Sequence, residues 1–149
     1  MRYSYKPSVI PFPNPNTFAG LMELYETNDI NIRKLCGNLD SLNEYSVSTI
    51  QHCMDLHLKV LEKNKYTITL YLTYRFTEVD GNQPSDFPGA TIRVYYDAMQ
   101  AEVLNRTSKV AKESRYYSDF LYQKWHINRF LFKWLRFSLR QGHSFNLII

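Results

Sequence analysis

Between Tyr66 and Thr77 the chain alternates strictly. Tyr66, Ile68, Leu70, Leu72, Tyr74 and Phe76 interleave with Thr67, Thr69, Tyr71, Thr73, Arg75 and Thr77. Successive side chains of a strand point to opposite faces, so a period of two, rich in β-branched and aromatic residues, specifies a strand. One of its faces is apolar and the other polar, which fits an antiparallel sheet covered on one side. Such a strand needs neighbours. Leu56, Leu58 and Val60 alternate with His57, Lys59 and Leu61, and Asn64-Lys65 makes a tight hairpin between the two runs. Ile92, Val94 and Tyr96 alternate with Arg93, Tyr95 and Asp97 in a third strand, and a short fourth is expected around Ala101 to Leu104. Asp80-Gly81 opens a loop, carrying Pro84 and Pro88, that is read as running to Gly89.

The flanks read differently. Pro7, Pro11, Pro13 and Pro15 make residues 1–16 an extended tail. Asn14 before Pro15 looks like a helix cap, followed by Phe18, Leu21, Met22 and Tyr25 at helical spacing. A break near Asn28-Asp29 is expected to restart a second short helix with Ile32, Leu35 and Cys36, ended by Gly37. Residues 105–117 are polar and read as loop. A long helix, capped by Ser118 or Asp119, then runs to just before Gly142. At about 100° per residue, Phe120, Ile127, Leu131, Trp134 and Leu135 form its apolar stripe. Trp125 and Phe132 flank the stripe on one side, Phe130 and Phe137 on the other. His126, Arg129, Lys133, Arg136 and Arg140 form a basic ridge opposite. The expected class is α+β: a four- to five-stranded antiparallel sheet, one face under the C-terminal helix, with N-terminal helices beside it. Residues 17–142 form one domain between a Pro-rich tail and a C-terminal tail, 143–149, in which His143-Ser144 is read as disordered rather than as a dyad.

At 149 residues the chain is long enough for one proper core. Its net charge of +4 is uneven: nine basic and two acidic residues lie from Arg106 onward, against nine and twelve before it. A basic segment of this kind suits nucleic acid, an anionic partner or simply a solvated helix face. Two cysteines, Cys36 and Cys53, make no disulfide framework, and no secretory leader or membrane span is evident, so a cytoplasmic protein is expected. Asn105-Arg106-Thr107 matches a glycosylation acceptor, read as chance without a leader.

Several groups could carry chemistry. The polar sheet face would gather His57, Tyr71, Arg75, Arg93, Tyr95 and Asp97, and exposed rings beside arginines can stack bases or hold a small ligand. Ordinary cross-strand pairing explains the same residues. His52, Cys53, Asp55 and His57 offer zinc-binding atoms, but no CxxC or HExxH spacing and no fourth ligand accompany them, so no metal is assigned. Asp97 and Glu102 are the carboxylates nearest a site. The chain has no glycine-rich phosphate loop and no nucleophile elbow, so no catalytic residue and no cofactor is assigned.

Two stretches resemble a known family. Arg93-Val94-Tyr95-Tyr96-Asp97-Ala98-Met99-Gln100-Ala101-Glu102-Val103 is similar to a motif of the YqiB-like bacterial proteins. So is Ile127-Asn128-Arg129-Phe130-Leu131-Phe132-Lys133-Trp134-Leu135-Arg136-Phe137-Ser138-Leu139, closing at Gly142. The resemblance covers about residues 17 to 142 and departs at the Pro-rich start and the last residues. It implies a bacterial, cytoplasmic, single-domain protein and supplies no activity, cofactor or catalytic residue. It directs attention to Arg93, Tyr95, Asp97, Glu102, Asn128 and Arg136. Asn128 stands on the shoulder of an apolar stripe, where a buried amide must find partners, expected on the sheet or at the Tyr96–Met99 turn.

The pattern favours a non-enzymatic binding or interaction protein, its partner unidentified and expected to be another protein. The alternatives are weak single-stranded nucleic-acid binding through the basic helix and polar sheet face, and an enzyme or sensor for a small anionic ligand such as a nucleotide. For the ligand reading the candidates are Arg75, Arg93, Tyr95, Asp97 and Glu102.

Overall fold

Five strands follow one another in chain order across one antiparallel sheet, each beside its sequence neighbour. The computed structural model describes residues 17–76, 85–107 and 120–146. The strands are β1 (Tyr45–Ser48), β2 (Leu56–Lys63), β3 (Thr67–Phe76), β4 (Ser85–Tyr95) and β5 (Gln100–Thr107). Helix α1 (Phe18–Cys36) and a 3-10 turn (Leu39–Ser41) precede them, and helix α2 (Phe120–Gln141) follows.

The register sets Leu58 opposite Leu72, Leu70 opposite Ile92, and Ile92 opposite Val103. One face of the sheet is therefore continuously apolar. Leu56, Leu58, Ile68, Leu70, Leu72, Ala90, Ile92, Val94, Ala101 and Val103 are all buried there. Ile32 and Leu35 of α1 and Leu131, Trp134 and Leu135 of α2 close this core. Each fully buried Leu or Ile contributes about 1.5–3 kcal/mol. A second cluster, Leu21 and Leu24 with Trp125 and Phe132, joins the two helices to each other.

Several expectations change. Asn28-Asp29 does not break the first helix, because a bond to α2 holds the Asn28 side chain and an i,i+4 ion pair within α1 holds that of Asp29. Asn28 Nδ2 donates to the Asn128 carbonyl at 3.1 Å, and Arg33 Nε binds both Asp29 oxygens at 3.0 Å. The cap is Thr17, whose hydroxyl accepts from Gly20 N–H at 2.9 Å, and α1 starts at Phe18 rather than at Pro15. Asn14, Pro15, Ser118 and Asp119 lie outside the described residues. The loop read to Gly89 ends sooner, since β4 begins at Ser85. Its Pro88 stands just before Gly89, where the pairing of β4 with β5 begins among the described residues. Asn105 to Thr107 belong to β5 rather than to a loop, and short β1 had no alternation long enough to reveal it. On α2, Phe120 is 73% exposed, and the buried line runs through Trp125, Asn128, Leu131, Phe132, Trp134, Leu135 and Ser138. The apolar stripe shifts because α2 packs on α1 as well as on the sheet.

Both helices end on glycines in the left-handed region. Gly142, at φ 98°, closes α2 in a Schellman arrangement, with Gly142 N–H on the Leu139 carbonyl and His143 N–H on that of Ser138. This turn sends the chain back into the protein. Phe145 enters the core and its N–H donates to the Leu35 carbonyl at 2.7 Å, so 143–146 is packed rather than disordered. Gly37, at φ 73°, ends α1, and a Cβ there would come within 2.6 Å of the Asn146 side chain.

β5 forms one edge of the sheet. An uncovered edge leaves backbone groups unpaired. α2 supplies the missing partners: Asn128 Oδ1 accepts from Val103 N–H at 2.9 Å, and Lys124 Nζ approaches the Val103 carbonyl at 3.4 Å. Asn128 Nδ2 donates to the Lys124 carbonyl at 2.8 Å, which fixes the amide's orientation. Asn128 is wholly buried, and its own carbonyl accepts from Asn28. One residue thus joins β5, α2 and α1. Replacing it by Leu or Ala orphans the Val103 N–H, an expected loss of about 1–3 kcal/mol. Urea denaturation at unchanged m reads this loss; an Asn128→Leu midpoint equal to that of the parent rules the role out.

Candidate functional site

Glu102 precedes Val103 on β5 and so points to the other face of the sheet, directly across from Arg93 on β4. Three donors converge on its carboxylate. Tyr95 Oη donates to Oε1 at 2.6 Å, Lys124 Nζ to Oε2 at 2.9 Å, and Tyr25 Oη stands 3.5 Å from Oε2. Tyr25 comes from α1 and Lys124 from α2, so both helices reach around the β5 edge to this point. Arg93 Nε donates to Thr69 Oγ1 at 3.4 Å.

Burial by itself raises the Glu102 pKa, but the bonds from Tyr95 and Lys124 outweigh it and hold the carboxyl below its ordinary value. Burial first, and then the Glu102 charge, push Tyr25 and Tyr95 upward. At neutral pH this is an ionised acid facing neutral phenols and a cation. A general base works best when its pKa lies near the operating pH, and Glu102 is moved away from that. The cluster is suited to positioning, not to proton transfer.

The sheet face beyond this cluster carries cross-strand rows. Tyr45, Lys59, Tyr71 and Thr91 stand side by side across β1 to β4. Val47, His57 and Thr73 form the next row, and Thr69, Arg93 and Glu102 another. The Tyr45 hydroxyl and His57 Nδ1 share a hydrogen bond, with ring centroids 5.7 Å apart. Tyr45, Val47 and Lys59 are exposed. Among the described residues no helix covers this face.

The other candidates disperse. Asp97 is exposed in the turn between β4 and β5. Arg75 lies on β3 opposite Asp86, its side chain outside the described residues. Of the ligand candidates, Arg93, Tyr95 and Glu102 are the three brought together. On the α2 ridge, Arg129 lies over the Trp125 ring at 5.5 Å and Arg136 over Phe132 at 5.5 Å. Lys133 and Arg140 are exposed. His126 packs edge-on against Tyr122 at 4.2 Å, and burial, then Arg129 and Arg106, lower its pKa. Trp134 is a core residue, its ring against Tyr74 and Phe130. Cys53 lies in the turn before β2 rather than in a strand shared with His57, and no three His, Cys, Asp or Glu gather into a metal site among the described residues. No helix among them is long and apolar enough to cross a membrane. Lys124 and Tyr25 were missed. Lys124 lies one turn from Asn128 on the same helix face, a signal that could have found it; nothing local marks Tyr25.

The family model described as protein of unknown function, DUF1249, matches residues 31–144. The chain belongs to this family. It is 30% identical over 139 residues to the uncharacterized protein YqiB of Escherichia coli K12, covering 84% of this chain and 90% of that one. The YqiB proteins of E. coli strains O6:H1 and O157:H7 match to the same extent. No solved structure matches. The DUF1249 match spans the whole sheet, α2 and the turn after it, and includes Tyr95, Glu102, Lys124 and Asn128. Tyr25 and Asn28 precede it.

Because the folded Glu102 pKa lies below the unfolded value, its stabilising contribution is present above about pH 4.3 and is lost as pH falls through the folded pKa. Glu102→Gln should therefore cost about 1–2 kcal/mol at pH 7 and flatten the fall in stability below pH 5. Urea midpoints for both proteins across that range read the effect; parallel curves would assign the acid sensitivity elsewhere.

Proposed function

We propose that this DUF1249 chain is a non-enzymatic binding protein that takes an extended segment of a protein partner along β1 and the adjoining exposed side chains Tyr45, Val47 and Lys59. The observation that carries the reading is the row Tyr45, Lys59, Tyr71 beside a sheet edge at β1 that no other strand pairs with among the described residues. Val60 N–H donates to the Glu44 carbonyl, so residues 44, 46 and 48 make the bonds to β2. In an antiparallel pair bonded positions alternate, which turns the backbone groups of Tyr45 and Val47 outward. An added strand would pair with them. Tyrosines are favoured at protein interfaces, and Lys59 between two of them suits an acidic residue on the incoming strand.

This face is not uniformly basic: Glu62 and Glu102 stand among Lys59 and Arg93 in the register. The nucleic-acid reading rests instead on α2, where Lys133 and Arg140 are exposed on one ridge.

A photo-crosslinking residue at Val47 should capture a discrete protein. That protein, purified, should bind about tenfold or more weakly to Tyr45→Ala/Lys59→Glu and undiminished to Lys133→Glu/Arg140→Glu. A labelled single-stranded oligonucleotide should show no binding at about 50 mM salt. Oligonucleotide binding that collapses by about 200 mM salt and in the α2 variant alone would replace this reading with the other.

A further inference from the structure

His143 is a buried histidine bonded to a serine. It is 2% exposed, and its Nδ1 lies 2.8 Å from Ser48 Oγ on β1. The same oxygen accepts from Ser144 N–H at 3.0 Å. A serine hydroxyl has one proton to give and two lone pairs to accept with. With Ser144 N–H on one lone pair, the oxygen still meets Nδ1 in either tautomer of the ring, and the two atoms stay bonded. The other ring nitrogen, Nε2, is buried with no hydrogen-bond partner among the described residues. The two bonds to Ser48 hold the start of a segment whose far end is fastened by Phe145 N–H on the Leu35 carbonyl.

We propose that His143 and Ser48 form an acid-sensitive latch that holds residues 143–146 across β1 and the end of α1. A second ring proton, taken from solvent, leaves a cation in a site that is 2% exposed, with an N–H at Nε2 that meets no acceptor among the described residues. The segment then detaches while the sheet stays folded.

The surroundings favour the neutral ring. Burial lowers the pKa of His143; the Met54 backbone, the Asp55 carboxylate and the Ser48 backbone pull the other way without cancelling it. Asp55, from the connection between β1 and β2, is the charged group acting on the ring. β3 presents Tyr74, 6.1 Å away, whose hydroxyl is engaged with Ser138 and Gln141 of α2, neither of them charged. A folded pKa below the unfolded one means the latch is fully stabilising above about pH 6.5 and weakens as pH falls through the folded value.

Amide hydrogen exchange on the full chain, corrected for intrinsic rates, tests this residue by residue. Between pH 7.5 and 5.5 the protection of Ser144 and Phe145 should fall, approaching tenfold per pH unit, while Leu70 and Val103 keep theirs. His143→Gln should abolish that pH dependence. Ser48→Ala should leave Ser144 unprotected even at pH 7.5. Flat protection of Ser144 and Phe145 in the parent protein overturns the latch, as does an equal acid loss in His143→Gln or a loss shared with Leu70 and Val103.

Discussion

The structure depends on how the β5 edge is closed. A meander has two free edges, and one of these lies where the helices must pack. Asn128 resolves the conflict by giving its amide oxygen to Val103 and its amide nitrogen to its own helix. Leu131, Trp134 and Leu135 can then lie on the apolar face without leaving the Val103 N–H dry and unpaired. Lys124, one turn earlier, extends the same contact to Glu102. Helix and sheet are joined by a polar seam at the rim of an apolar core.

Other buried polar side chains work in the same way, at boundaries between elements. Asn28 links α1 to α2, Ser138 links α2 to β3 through Tyr74, and Ser48 links β1 to the segment after α2. Apolar burial is non-directional, whereas these bonds specify which neighbour lies where. The sheet face away from the helices is built differently. Its acid and base are neighbours, and its rings gather toward β1. The side of the sheet at β5 is occupied by the protein's own helices, while the side at β1 carries Tyr45 and Val47 exposed. This asymmetry is why the functional reading centres on β1 and not on the carboxylate of Glu102.

Much of the architecture was legible from periodicity. The alternation through Leu70 identified the central strand and its buried face, and the wide aromatic face of α2 marked it as a packed helix. The misjudged places turn mostly on contacts between elements. Asn28-Asp29 looked like a helix break because both residues favour local backbone bonds, yet α2 binds Asn28 and Arg33, one turn on in the same helix, binds Asp29. Phe120 looked buried because the stripe was drawn for one packing surface, whereas α2 has two. His143 looked like tail because nothing local shows that Gly142 turns the chain back onto β1.

By itself the sequence determined the class of fold and the buried face of each long strand. These follow from side-chain direction repeating along a regular backbone, which needs no knowledge of distant residues. Only the tertiary structure decided what the polar groups do. Asn28 meets Asn128 across 100 residues, Tyr25 meets Glu102 across 77, and Ser48 meets His143 across 95. A hydrogen bond is set by position to within a few tenths of an ångström, and a pattern along the chain carries no such distance.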